Sequence, residues 1–229
     1  MRSPSKYSKI LRMRKTPFVE GEYYHVYNRG VDKRDIFSDT YDMPRFLQSM
    51  KEFNTIEPIG SIYENSFRKS QLGDRISKLR KEPLVNIICY CLNLNHYHLL
   101  LQQVAKNGIS EFMRRLGIGY TYYFNERYKR NGVLFQGRFK SSHINSNEYL
   151  LHVSAYINLN NKVHKLGDAI SKSSWEEYIN QYAGGICNKD IILGQFKKPN
   201  EYKHFSEEAL EGILERREKD ENFSGLLLE

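Results

Sequence analysis

Two apolar runs stand back to back in this chain, Val85 to Leu92 and His96 to Gln103, separated only by Asn93-Leu94-Asn95. Short apolar runs split by a turn signal predict a β-hairpin. An earlier run, Glu22 to Asn28, alternates and is rich in Tyr and Val, which predicts a first strand ended by Arg29-Gly30. Thr40 to Asn54 carries Phe46, Met50 and Phe53 at helical spacing. Ile109 to Arg130 carries a longer stripe of Ile109, Phe112, Met113, Leu116, Tyr120, Tyr123 and Phe124, between Gly108 and Gly132. Short strands are predicted over Val133–Phe135 and Phe139–Ile144. A helix is predicted over Asn147–Asn160, capped by Asn145 or Ser146 with Glu148 in its first turn. Glu176–Tyr182, Lys189–Phe196 and Ser206–Arg217 read as helical, and Ser66–Lys81 as a charged helix or loop. Strands and helices interleave without the regular repeat of a parallel sheet, and a hairpin requires antiparallel pairing. The pattern predicts an α+β fold, a mostly antiparallel sheet carrying helices.

Composition narrows the partners. The chain has 229 residues and a formal net charge of +8, which favours a polyanion, nucleic acid first. Its 17 Tyr and 12 Phe, mixed with Lys and Arg, suit stacking on unpaired bases, although most belong in a core. Three cysteines, Cys89, Cys91 and Cys187, argue against a disulfide scaffold and fit a reducing compartment. No stretch approaches the ~20 apolar residues of a membrane span. The expected location is cytoplasmic and nucleoid-associated. Three segments are predicted: a basic arm at 1–16, a core at 17–165 with an insertion at about 55–83, and a helical C-terminal extension at 166–229 that ends acidic.

The chemistry concentrates in Asn95-His96-Tyr97-His98. On a strand, His96 and His98 point the same way while Tyr97 and Leu99 face a core. Tyr156 and Asn160 lie one turn apart on the predicted Asn147–Asn160 helix. A divalent ion held by His96, His98 and Asn160, with Tyr156 beside it, can break a phosphodiester by nucleophilic attack. Duller readings stand beside this one. Histidines on a strand are commonly just hydrogen-bonded, Asn160 can serve as a helix C-cap, and Tyr120, Tyr122 and Tyr123 are rival nucleophiles. Cys89 and Cys91 with the histidines offer a zinc alternative, against the usual spacing.

The His-x-His strand followed by Tyr156-Ile157-x-x-Asn160 resembles the single-tyrosine HUH endonucleases that act as transposases, and among them the REP-associated tyrosine transposases. Tyr24-His25-Val26-Tyr27-Asn28-Arg29-Gly30, Gly132 to Ser141, and Ser173-Ser174-Trp175 extend the likeness from roughly residue 17 to residue 196. Two positions depart from the family pattern: Tyr97 stands where an aliphatic residue is usual, and Asn161 where proline is common. The resemblance implies a ferredoxin-like core with helices packed on its sheet. It implies a Mg²⁺- or Mn²⁺-dependent enzyme that cuts and rejoins hairpin-bearing single-stranded DNA, a REP-like hairpin or an element end, through a 5′-phosphotyrosine on Tyr156. Arg29, Arg34, Arg138 and Lys140 fall within the family-like motifs and are expected at the DNA. Arg114 and Arg115 belong to a basic series on the long helix that is a second candidate. A homodimer is a further expectation. The rival functions are a replication initiator or relaxase-like nickase, and a non-catalytic nucleic-acid-binding protein derived from a transposase.

Overall fold

The computed structural model describes residues 17–72, 82–164, 166, 171–180 and 185–219. The basic arm and the last ten residues lie outside them. Five antiparallel strands form one sheet: β1 (Tyr23–Arg29), β2 (Val85–Asn93), β3 (His96–Gln103), β4 (Lys140–Ile144) and β5 (Ser171–Ser173), in the order β4-β1-β3-β2-β5. The first four strands, with α1 (Asp42–Phe53) between β1 and β2 and α3 (Gly108–Arg127) between β3 and β4, reproduce the strand order of a ferredoxin-like core. The α+β expectation holds, and β3, which carries the two histidines, is the middle strand.

Alternation along the strands sorts the core into two faces. Tyr24, Val26, Tyr90, Leu92, Tyr97, Leu99 and Leu101 pack against Phe46 and Met50 of α1 and Phe112, Leu116 and Tyr120 of α3. Ile88, Cys89, Cys91 and Leu100 face the other way, onto Leu150, Val153 and Ile157 of α4 (Asn147–Asn158). Each fully buried Leu or Ile contributes about 1.5–3 kcal/mol to this arrangement. β2 manages its change of face with a bulge. Ile87 pairs with Leu101 but Cys89 pairs with Leu100, so Ile88 and Cys89 turn consecutive side chains to the same face. The Ile88 carbonyl at the bulge accepts a 2.8 Å hydrogen bond from Tyr178 Oη.

Among the described residues the remaining α-helices are α2 (Ile62–Leu72), the single turn α5 (Asn160–Val163), α6 (Trp175–Ile179), the single turn α7 (Asp190–Leu193) and α8 (Pro199–Lys219), with a 3-10 turn at Val31–Lys33. α2 occupies the predicted insertion. α8 is longer than its apolar pattern indicated and packs along α4. Its Tyr202 is fully buried, accepting from Asn158 Nδ2 at 2.9 Å and bonding Ser154 Oγ at 3.1 Å. Ser174 Oγ completes this knot by donating to Asn158 Oδ1 at 2.6 Å.

Two expectations need correction, and one strand was not foreseen. Val133–Phe135 is not a strand; Phe135 makes a lone bridge to Gly30, because β4 already occupies the edge of β1 beyond that point. The helix predicted over Asn147–Asn160 stops at Asn158 with Leu159 outside helical geometry, and Asn160 begins a new turn. The edge strand β5 had no signal, since three residues of Ser-Lys-Ser carry no apolar alternation. Ser146 does cap α4, accepting from Tyr149 N–H at 3.1 Å.

Candidate active site

β3 holds His96 and His98 on the sheet face that α4 covers. His98 is buried and its ring stands 5.2 Å from that of His96. Tyr156 projects from α4 onto the same place, 8% exposed, its ring 5.7 Å from His98. The His-x-His alternation and the helical tyrosine therefore meet as the sequence suggested. Asn160 arrives by a different route, from the turn after Leu159, and is fully buried.

Two further histidines join the group. His25 on β1 approaches His98, Nε2 to Nδ1, at 2.8 Å, and its ring lies 6.1 Å from Tyr156. His164 stacks its ring edgewise 5.2 Å from His96. Neither was singled out in the sequence. His25 sits in a Tyr- and Val-rich strand where a lone histidine reads as packing, but its parity with Tyr27 was a usable signal. Burial, and then the neighbouring imidazoles of His25, His96 and His164, hold the His98 pKa well below its ordinary 6.5. Burial takes His25 down to about 4. Both rings are thus neutral at pH 7, the form that offers a lone pair. Tyr27 is kept a phenol, its pKa raised by burial and by the nearby Tyr156 and Tyr149 hydroxyls.

A chain of hydrogen bonds fixes the other histidine. Asn95 Nδ2 donates to the Lys33 carbonyl at 3.2 Å, which turns Asn95 Oδ1 toward His96 Nδ1, 2.6 Å away. That oxygen can only accept, so His96 carries its proton on Nδ1 and presents an unprotonated Nε2. Asn93 Nδ2 donates to this Nε2 at 2.9 Å and to Asn160 Oδ1 at 2.7 Å.

Two cavities open on the group and share Tyr27 and His98 as their common wall. One, of about 310 Å³, is lined by His96, His164, Arg29, Lys33, Gln136 and Lys140 among others. The other, of about 670 Å³, is lined by Tyr156, His25, His152 and by Phe205 and Arg216 of α8 among others. Of the expected DNA contacts, Arg29 and Lys140 line the first cavity, and Arg29 donates to Gln136 Oε1. Arg138 is exposed on the segment leading into β4. Arg34 bonds the Val31 carbonyl at 3.1 Å, and Lys33 beside it reaches the cavity instead. Arg114 and Arg115 lie on α3, across the sheet from the histidines. Both are tied to Glu111, and Arg115 also to the Thr55 and Ile56 carbonyls. Tyr120 and Tyr123 lie on that side too, donating to the Ile36 carbonyl and to Asp42, and Tyr122 is exposed there. Cys89 and Cys91 are buried thiols, their pKa values raised by burial.

Residues 61–160 match the model of the family described as "Transposase IS200 like". That segment is similar to an IS200-like transposase domain. The matched segment contains His96, His98, Tyr156 and Asn160. Among solved structures it is similar to the "REP associates tyrosine transposase bound to a REP hairpin", with a TM-score of 0.51 and 13% identity over 77% of this chain and 93% of that one. At that identity the likeness is one of fold. No curated protein matches the chain. No described helix is long and apolar enough to cross a membrane.

Proposed function

We propose that this chain is a divalent-metal-dependent, single-tyrosine transposase that cleaves and rejoins single-stranded, hairpin-bearing DNA. The observation that carries the reading is the convergence of His96, His98 and Tyr156, the histidines on a central strand and the tyrosine on a helix about sixty residues later, on one buried patch. The REP hairpin in the similar structure supports a hairpin substrate here.

The donor set tests the metal. Among the described residues no three His, Cys, Asp or Glu side chains form a metal cage, so two imidazoles must be completed by an amide. Asn160 fits: its Oδ1 and the unprotonated His96 Nε2 both converge on the Asn93 amide nitrogen, and its buried Nδ2 has no hydrogen-bond partner among the described residues. Two nitrogens and an amide oxygen suit Mn²⁺ and accept Mg²⁺. An ion there supplies Lewis-acid polarisation of the scissile phosphate.

The residues do the rest. Tyr156 Oη attacks phosphorus, the Oη–P bond forms and its proton passes to water, and the P–O3′ bond breaks as the 3′ oxygen takes a proton from water. The neutral imidazoles of His25 and His98 flank the phenol that loses its proton. The phosphotyrosine conserves the bond energy, so a 3′ hydroxyl can reverse the step without ATP. Arg29, Lys33 and Lys140 place positive charge where the strand's phosphates pass the histidines.

The test is an adduct assay. Protein, a pool of end-labelled hairpin DNAs with random single-stranded flanks, and Mn²⁺ are run on a denaturing gel beside Tyr156→Phe. A metal-dependent covalent band lost in Tyr156→Phe is expected. A band surviving in the variant would move the nucleophile elsewhere. Salt-sensitive binding with no band would mean a protein that binds but does not cut.

A further inference from the structure

Asn93 ends β2 directly opposite His96, in register on β3. It is fully buried, and its one NH₂ group spends both hydrogens on the two atoms assigned above as ligands, His96 Nε2 at 2.9 Å and Asn160 Oδ1 at 2.7 Å. Ligands at about 2.1 Å on adjacent corners of an octahedron stand about 3.0 Å apart. The amide terminus of Asn93 is therefore spaced from both ligand atoms as a third ligand of the same ion would be.

The other end of the amide is weakly held. Among the described residues, Asn93 Oδ1 receives only the Cys91 thiol, at 3.6 Å. A thiol is a poor donor and an equally poor acceptor, so it accommodates either end of the amide at little cost. Turned over, the Asn93 oxygen faces two other lone pairs. That arrangement is repulsive without a cation and attractive around one.

We propose that Asn93 is a further ligand of the divalent ion, its side-chain amide turning over on metal binding to exchange the N–H donor for its oxygen. This rests on the metal-dependent reading of the site. In the metal-free protein the NH₂ group holds His96 Nε2 and Asn160 Oδ1 each at ligand spacing from itself. In the loaded protein the oxygen completes a set of two nitrogens and two oxygens, leaving positions for phosphate and water. The second oxygen brings the site nearer to the preference of Mg²⁺.

The experiment is a Mn²⁺ titration of the full chain, without DNA, read as loss of the free-ion electron paramagnetic resonance signal. Wild type is compared with Asn93→Leu, Asn93→Ala, Asn93→Asp and His96→Ala, each checked for thermal unfolding in EDTA. Leu fills the volume, and Ala serves if Leu does not fold. At least tenfold weaker binding in Leu or Ala, restored in Asp, is expected. Binding in Leu and Ala as tight as wild type, or tighter, would overturn the proposal and leave Asn93 a plug that the ion displaces. Equal Mn²⁺ affinity in His96→Ala and wild type would overturn the metal site itself, and Asn93's role with it.

Discussion

Replacing His25 by Gln should flatten the acid side of the protein's stability curve. The His25 pKa is held at about 4 by burial, against an ordinary 6.5. A base with a depressed folded pKa binds fewer protons folded than unfolded, so its contribution is fully present above pH 6.5 and is lost as the pH falls toward 4. With those two values the linkage relation gives a loss of about 2 kcal/mol between pH 7.5 and pH 5.0 and about 3 kcal/mol once pH 4 is passed. Gln keeps an amide within reach of His98 Nδ1 but cannot titrate. The assay is urea unfolding at pH 7.5 and 5.0 in EDTA. With a slope of about 2 kcal/mol/M, the wild-type midpoint should fall by at least ~1 M more than that of His25→Gln. His98 adds to the wild-type loss in the same direction, and removing His25 also relieves part of its depression. Equal pH dependence in the two proteins would refute the claim that the His25–His98 contact forms between neutral rings in a desolvated site.

Other outcomes follow from named contacts. Tyr202→Phe removes the hydroxyl that satisfies Asn158 Nδ2 and Ser154 Oγ, and should cost about 1–3 kcal/mol by chemical denaturation, releasing α8 from α4. Gly108→Ala should destabilise by a similar ~1–3 kcal/mol, because an added Cβ would sit 2.1 Å from the Leu84 carbonyl oxygen; unchanged thermal stability would contradict that approach. Lys140→Ala should weaken single-stranded DNA binding and lower the slope of log K against log salt by about 0.7, whereas Arg115→Ala should leave the slope unchanged and lower stability instead. Tyr120→Phe should retain the covalent adduct, since its hydroxyl serves the Ile36 carbonyl inside the core.

The parts of the fold with a strong period were legible in the sequence. The hairpin of β2 and β3, the long stripe of α3 and the cap at Ser146 each carry their signal within about twenty residues. His96, His98 and Tyr156 could be singled out together for the same reason, since two local periods place them. The remainder depends on pairing across the chain. His25 enters the site only because β1 pairs with β3, and Asn93 looked like turn punctuation because its partner Asn160 comes 67 residues later. The arginines show the limit from the other side. Arg114 and Arg115 look like any exposed basic pair until the loop carbonyls of Thr55 and Ile56 come to meet one of them.

The turn between β2 and β3 has only two residues, Leu94 and Asn95, and it is pinned from outside: the Leu94 carbonyl accepts from Ile36 and Phe37 N–H, and the Asn95 carbonyl from Gly30 N–H. Side chains on a strand alternate with a period of two, so one residue inserted or deleted here would shift the register. Either His96 and His98 would exchange faces with Tyr97 and Leu99, or Asn93 would lose its place opposite His96. The site therefore has no tolerance for length change at this hairpin, whereas the stretch from Asn54 to Leu84 spans the gap between α1 and β2 with room for a whole extra helix. Lineages of this chain should differ freely in length there and hold the two-residue turn fixed, a pattern that genomic variation can show without any assay.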